Sequence, residues 1–141
     1  MDIGMIGVAA ALGLSALGSA LGSGIAGMTA IGSWKKCFLQ NKPVPFLLVA
    51  FAGAPLTQTI YGFILMNAIR GGGLDGVGKL AVGVFAGLAM GASALYQGKA
   101  AAYASDALAE TGQGFGNYIL VVGLIETVAL FVMVFSLGLV G

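Results

Sequence analysis

Four apolar stretches, each longer than a bilayer is thick, leave this chain few ways to fold. They run over about 3–31, 44–69, 80–105 and 117–139. A helix rising 1.5 Å per residue needs ~20 residues to cross a hydrocarbon core of about 30 Å. Every stretch exceeds that, which leaves room to tilt or to project beyond the bilayer. The breaks between them hold charge, glycine and proline: "GSWKKCFLQNKP" (32–43), "RGGGLDGVGK" (70–79) and "DALAETGQG" (106–114). Charged residues make up only 8% of the 141, where about a quarter is usual in a soluble domain. That is too little polar surface to cover a water-soluble globule. The chain reads as an all-α membrane protein of four transmembrane helices. Residues 1–69 form a first hairpin, 80–141 a second, and 70–79 the loop between them.

Composition removes several functions. The net charge of +1 provides no basic footprint for nucleic acid. With no histidine and a single cysteine, Cys37, there is no His/Cys metal site, no Cys–His catalysis and no internal disulfide. The start "MDIG" lacks the basic region of a cleaved leader, and the apolar run behind it is too long for one, so the first span is expected to be retained. Lys35, Lys36 and Lys42 in the first loop outnumber Arg70 and Lys79 in the second. The positive-inside bias then puts the 1–2 and 3–4 loops in the cytoplasm of a multi-pass cell-membrane protein. Lys99 and Asp106 are seven residues apart and are expected to pair along one helix face, snorkelling toward the interface.

Spans one and three are narrow. Gly18, Gly22, Ala26 and Ala30 recur every fourth residue in the first, with Ser15, Ser19, Ser23 and Gly27 beside them; Gly83, Gly87 and Gly91 repeat the step in the third. Such stripes let helix backbones approach closely. Spans two and four carry the bulk, in Phe46, Phe51, Phe63, Phe131 and Phe135. The alternation suggests one hairpin design used twice. "GSGIAG" aligns with "YQGKAA", placing Ser23 over Gln97, and "LTQTIYGF" aligns with "LIETVALF", placing Gln58 over Glu126. Simple packing would explain a single stripe. Two long ones in alternate helices suit narrow helices forming an inner layer with bulky ones outside, as in a closed ring of hairpins.

Glu126 lies near the middle of the last span, and its own helix holds no basic partner. A charge at that depth costs at least about 2.5 kcal/mol, so an intramembrane carboxylate points to function by default. The second span supplies polar groups to meet it. Thr57, Gln58 and Tyr61 lie within five residues, on neighbouring turns of one side. Pro55 removes a backbone donor and frees a carbonyl, which is tolerated at membrane depth where the carbonyl finds a partner or a cation. Gln97 adds an amide from the third span. Taken singly, each group has an ordinary structural use: a kink, interhelical glue, an amphipathic aromatic. Together they are hard oxygen ligands around one carboxylate, which suits a small hard cation. One negative charge favours Na⁺ over Ca²⁺, which usually takes more carboxylates.

"PLTQTIYGF", "YQGKAAAYA" and "LIETVALF" resemble signature segments of the proteolipid, or K (c), subunit of V-type ATPases and related ATP synthases, and the resemblance covers nearly the whole chain. It implies a homo-oligomeric rotor ring turning in lipid against a membrane stator subunit that carries an arginine, with central-stalk subunits linking it to a soluble head. The subunit would be no enzyme by itself. It would carry Na⁺ or H⁺ on one glutamate while the complex hydrolyses or makes ATP. The resemblance extends to the sodium-binding members, which imply ion contacts at the Ala54 carbonyl, Thr57, Gln58, Gln97 and Glu126, with Tyr61 hydrogen-bonded to the carboxylate. No organic cofactor is implied. The alternative is a small four-helix proton-coupled multidrug antiporter; such proteins hold their acid in the first helix, where this chain has no charge beyond Asp2.

Overall fold

A computed structural model describes residues 2–141, and these are all helical apart from short connections. The elements are α1 (Ile3–Leu39), α2 (Leu48–Gly53), a 3₁₀ turn (Ala54–Leu56), α3 (Thr57–Gly71), α4 (Gly76–Thr111) and α5 (Phe115–Val140). Because α2, the turn and α3 run on as one span, Leu48–Gly71, four helices are long and apolar enough to cross a membrane. The protein is a multi-pass membrane protein.

Two of the helices outrun the apolar stretches. α1 continues through Trp34, Lys36 and Cys37 to Leu39, and α4 passes Asp106 and Glu110 to end at Thr111. Charge interrupts a hydropathy pattern without interrupting backbone hydrogen bonds, so the segments 32–43 and 106–114 are helical over much of their length. α4 also starts inside the stretch read as a loop, because the Asp75 carboxylate caps it by accepting from the Gly78 N–H at 2.7 Å. It stops where Gly112 takes φ +68°, a left-handed geometry natural to glycine.

The small-residue stripes do what their spacing suggests. Gly18, Gly22, Ala26 and Ala30 of α1 are all buried, as are Gly83, Gly87 and Gly91 of α4. A Cβ added at Gly18 would strike the backbone of Gly91; one at Gly98 would strike Gly22, and one at Gly83 would strike Gly7. Contacting residues stay a nearly constant distance apart in sequence, as in Lys36 with Glu110 and Cys37 with Ala109. Constant separation means that α1 and α4 run parallel, the relation two copies of one hairpin design would have. The bulkier spans lean on this pair. Gly62 of α3 sits so close to α1 that an added Cβ would lie 2.7 Å from the Ser15 side chain.

The pairing expected between Lys99 and Asp106 is not what forms. Asp106 faces Lys36 of α1 at 3.8 Å, Lys36 bonds to Glu110, and Lys99 lies over the Tyr96 ring, 4.8 Å from its centroid. Two helix turns separate Lys99 from Asp106, whereas the parallel register of α1 sets Lys36 beside the acid.

Candidate functional site

The kink at Pro55 builds the first wall of the site. Proline has no N–H, and the helix passes through a 3₁₀ turn at Ala54–Leu56 before resuming at Thr57. Pro55 is buried, and Gly22 of α1 makes room for it: a Cβ there would come within 3.0 Å of the Pro55 side chain. The turn presents the Ala54 carbonyl to Thr57, whose hydroxyl lies 3.2 Å from that oxygen and 3.2 Å from Gln58 Oε1. One hydroxyl proton is shared between these two acceptors.

From there a chain of hydrogen bonds crosses to the other hairpin. Gln58 is fully buried, and its amide donates to Gln97 Oε1 on α4 at 2.7 Å. Gln97, also fully buried, donates to Glu126 Oε2 at 3.1 Å and to the Val122 carbonyl at 3.1 Å on α5. The Tyr61 hydroxyl, one turn beyond Thr57, donates to Glu126 Oε1 at 2.8 Å. Each carboxylate oxygen therefore accepts one bond, from a different helix. Glu126 is partly buried and sits near the middle of α5. Hydrogen bonds to a charged acceptor contribute about 1.5–3 kcal/mol each, which offsets much of the cost of a carboxylate at this depth.

All six groups singled out in the sequence meet in this network: the Ala54 carbonyl, Thr57, Gln58, Tyr61, Gln97 and Glu126. Sequence reasoning missed Ser93. It is buried one turn before Gln97, donates to the Ile125 carbonyl at 2.8 Å and accepts from the Gln58 amide at 3.5 Å. It fixes the α5 backbone just ahead of Glu126. Its only signal was the four-residue step to Gln97, which a serine in a small-residue stripe does not advertise. The arrangement is a cluster of hydroxyls, amides and a backbone carbonyl around one carboxylate.

These features define a class: a multi-helix membrane proteolipid with one carboxylate held inside the helix bundle. Comparison with known proteins sharpens it. Residues 80–139, nearly the whole second hairpin, match the ATP synthase C-subunit family. The chain is also 33% identical over 132 residues to the A-type ATP synthase subunit K of Methanocaldococcus jannaschii. That alignment covers 92% of this chain and 57% of the relative, so the chain spans somewhat over half that protein's length. On these matches the chain is similar to the proteolipid subunits of ATP synthases, over its second hairpin to the family as a whole and over most of its length to one relative. The family match includes Gln97 and Glu126, while Thr57, Gln58 and Tyr61 fall outside it.

Proposed function

We propose that this chain is a c/K-type rotor subunit of a rotary ATPase or ATP synthase, carrying Na⁺ or H⁺ across the membrane on Glu126. The observation that carries the reading is the carboxylate near the middle of α5, bonded by Tyr61 and Gln97 from two other helices. The matches to the proteolipid subunits of ATP synthases support the same assignment. The chain itself catalyses nothing; it is an ion carrier within a larger machine.

The ion is the cargo. On this reading a Na⁺ ion is coordinated by the Glu126 carboxylate, Gln58 Oε1, Thr57 Oγ1 and the Ala54 carbonyl, and the hydrogen bonds that join Ala54, Thr57 and Gln58 support it. Gln97 presents its NH₂ to Glu126 and its oxygen to Gln58. For Gln97 to contribute an oxygen to the ion, its amide turns over and Gln58 gives up its bond. The same side chain thus serves as donor to the bare carboxylate and as ligand to the cation. A proton on Glu126 would satisfy the site with less rearrangement. Either guest neutralises the acid, letting the subunit move past lipid as a ring of identical copies turns. At the stator the guest leaves, the carboxylate pairs briefly with an arginine there, and a new ion enters. Lys35, Lys36 and Lys42 favour a cytoplasmic side for the ends of the helices near them, and with those ends the stalk-facing loops.

Labelling with a hydrophobic carbodiimide, which attacks protonated carboxyls in lipid, tests this. Glu126 is expected to react selectively and Na⁺ to slow the reaction. Selective labelling that Na⁺ never slows would make the carrier one for protons alone. No labelling at Glu126 would remove it from the transport path.

A further inference from the structure

When Gln97 turns its oxygen toward a cation, Gln58 is left without its partner. Gln58 Nε2 donates to Gln97 Oε1 at 2.7 Å. Once Gln97 has turned over, an NH₂ group replaces that oxygen, and two amide donors face each other. Gln58 cannot answer by turning as well. Its own oxygen lies 3.2 Å from the Thr57 hydroxyl and is needed on the side of the cation. Gln58 is fully buried, and a buried donor without an acceptor is costly. That cost falls on the Na⁺-loaded state alone, unless a second acceptor stands within reach.

Ser93 is such an acceptor. It is buried one turn before Gln97 on α4, and its Oγ lies 3.5 Å from Gln58 Nε2. That is the outer limit of a hydrogen bond, and a shift of about half an ångström brings it to the ordinary length. A hydroxyl donates one bond and accepts two. Ser93 spends its proton on the Ile125 carbonyl, at 2.8 Å. It can therefore accept from Gln58 without releasing α5 next to Glu126. A proton on Glu126 calls for no such exchange. Gln97 then keeps its NH₂ toward the carboxyl, Gln58 keeps its 2.7 Å bond, and the contact to Ser93 stays long. An interaction that tightens in one state and not in the other shifts the balance between them.

We propose that Ser93 is a positioning residue that raises the preference of the site for Na⁺ over H⁺, by taking the Gln58 amide when Gln97 turns toward the cation. The inference rests on the carrier reading of Glu126 and adds to it a residue that does not itself touch the ion.

Carbodiimide labelling of Glu126 in the full chain, reconstituted in lipid vesicles and read by mass spectrometry, tests this. Two quantities are followed: the Na⁺ concentration that halves labelling, and the labelling rate across a pH series without Na⁺. In Ser93→Ala the first is expected to rise about tenfold, the lower end for residues that orient an ion's ligands. The second is expected to match the wild type at every pH. Ser105→Ala removes another buried hydroxyl of α4, one without a partner, and is expected to change neither. Unaltered Na⁺ protection in Ser93→Ala would overturn the proposal. So would an equal loss in Ser105→Ala, or a loss accompanied by a changed Na⁺-free profile, which marks a loosened site. These outcomes leave the wild type protected by Na⁺ and the carrier reading intact. A wild type that labels at Glu126 but gains no protection from Na⁺ would end both the proposal and the sodium half of that reading.

Discussion

A carboxylate in a bilayer is stable only while each of its oxygens has a partner, and Glu126 draws those partners from residues that are far apart in sequence. Tyr61 and Gln97 each donate one bond to it. Removing either leaves a charge less well solvated than before and, on the proposed function, strips the carried cation of a neighbour. Partners that orient an ion's ligands typically account for about 10–100-fold in affinity. In Gln97→Ala, the Na⁺ concentration that halves carbodiimide labelling of Glu126 is therefore expected to rise by at least about tenfold. Tyr61→Phe keeps the ring and deletes only the donor, so its effect is expected at the lower end of that range. On the proposed function, Glu126→Gln should abolish ion transport by the reconstituted whole complex while the protein still folds, since an amide can accept from Tyr61 as the carboxylate does. Unchanged Na⁺ protection in both Gln97→Ala and Tyr61→Phe would mean that the ion sits elsewhere.

Among the helices, tolerance of substitution follows how closely the backbones approach. Gly98 has no room for a methyl group, because its Cβ would land on the backbone of Gly22, whereas Gly116 on α5 has nothing within 4 Å. Gly98→Ala is expected to destabilise by about 1–3 kcal/mol, as overpacking does. Gly116→Ala is expected to be neutral or stabilising by up to about 1 kcal/mol, since alanine is the better helix former. Thermal unfolding in detergent, followed by helical circular dichroism, reads both. The same contrast shows what could be read from the sequence and what could not. Glycine spacing in α1 and α4 announced a close interface, and hydropathy announced four spans, because both are local periodic signals. The groups around Glu126 were legible because each is out of place in an apolar run. The true ends of α1 and α4 were not, since a lysine or a glutamate stops a hydropathy pattern but not a helix. Nor was the Lys36–Glu110 pair, which exists only through the parallel register of two helices 74 residues apart. Ser93 escaped for a related reason: its partners are a backbone carbonyl on α5 and a side chain on α3.

The molecule as a whole has two ends, and they differ in chemistry. At one end Lys36 meets Glu110 and Asp106, the Trp34 indole donates to the Pro45 carbonyl at 2.8 Å, and Lys42 shares a groove with Gly112. At the other, Gly4 of α1 lies against Gly76, and Gly72 lies against Val140 near the end of α5. The connections 40–47 and 112–114 therefore share one face of the membrane, and 72–75 lies on the other. This follows from the helix packing and does not depend on the ion carried. The lysine count predicts that the first face is cytoplasmic, and the two statements can be tested separately. With Cys37 replaced by serine, single cysteines at Lys42, Gln113 and Gly73 report their side to a membrane-impermeant maleimide. In inside-out vesicles the first two should react together and Gly73 only after permeabilisation; in right-side-out vesicles the pattern should invert. Co-labelling of all three in sealed vesicles would overturn the packing. Inversion of both patterns would leave the packing intact and reverse the orientation, placing the Lys36 cluster outside the cell. A rotor reading would then fail, because the loops that must meet a cytoplasmic stalk and ATP-handling head would face the wrong compartment.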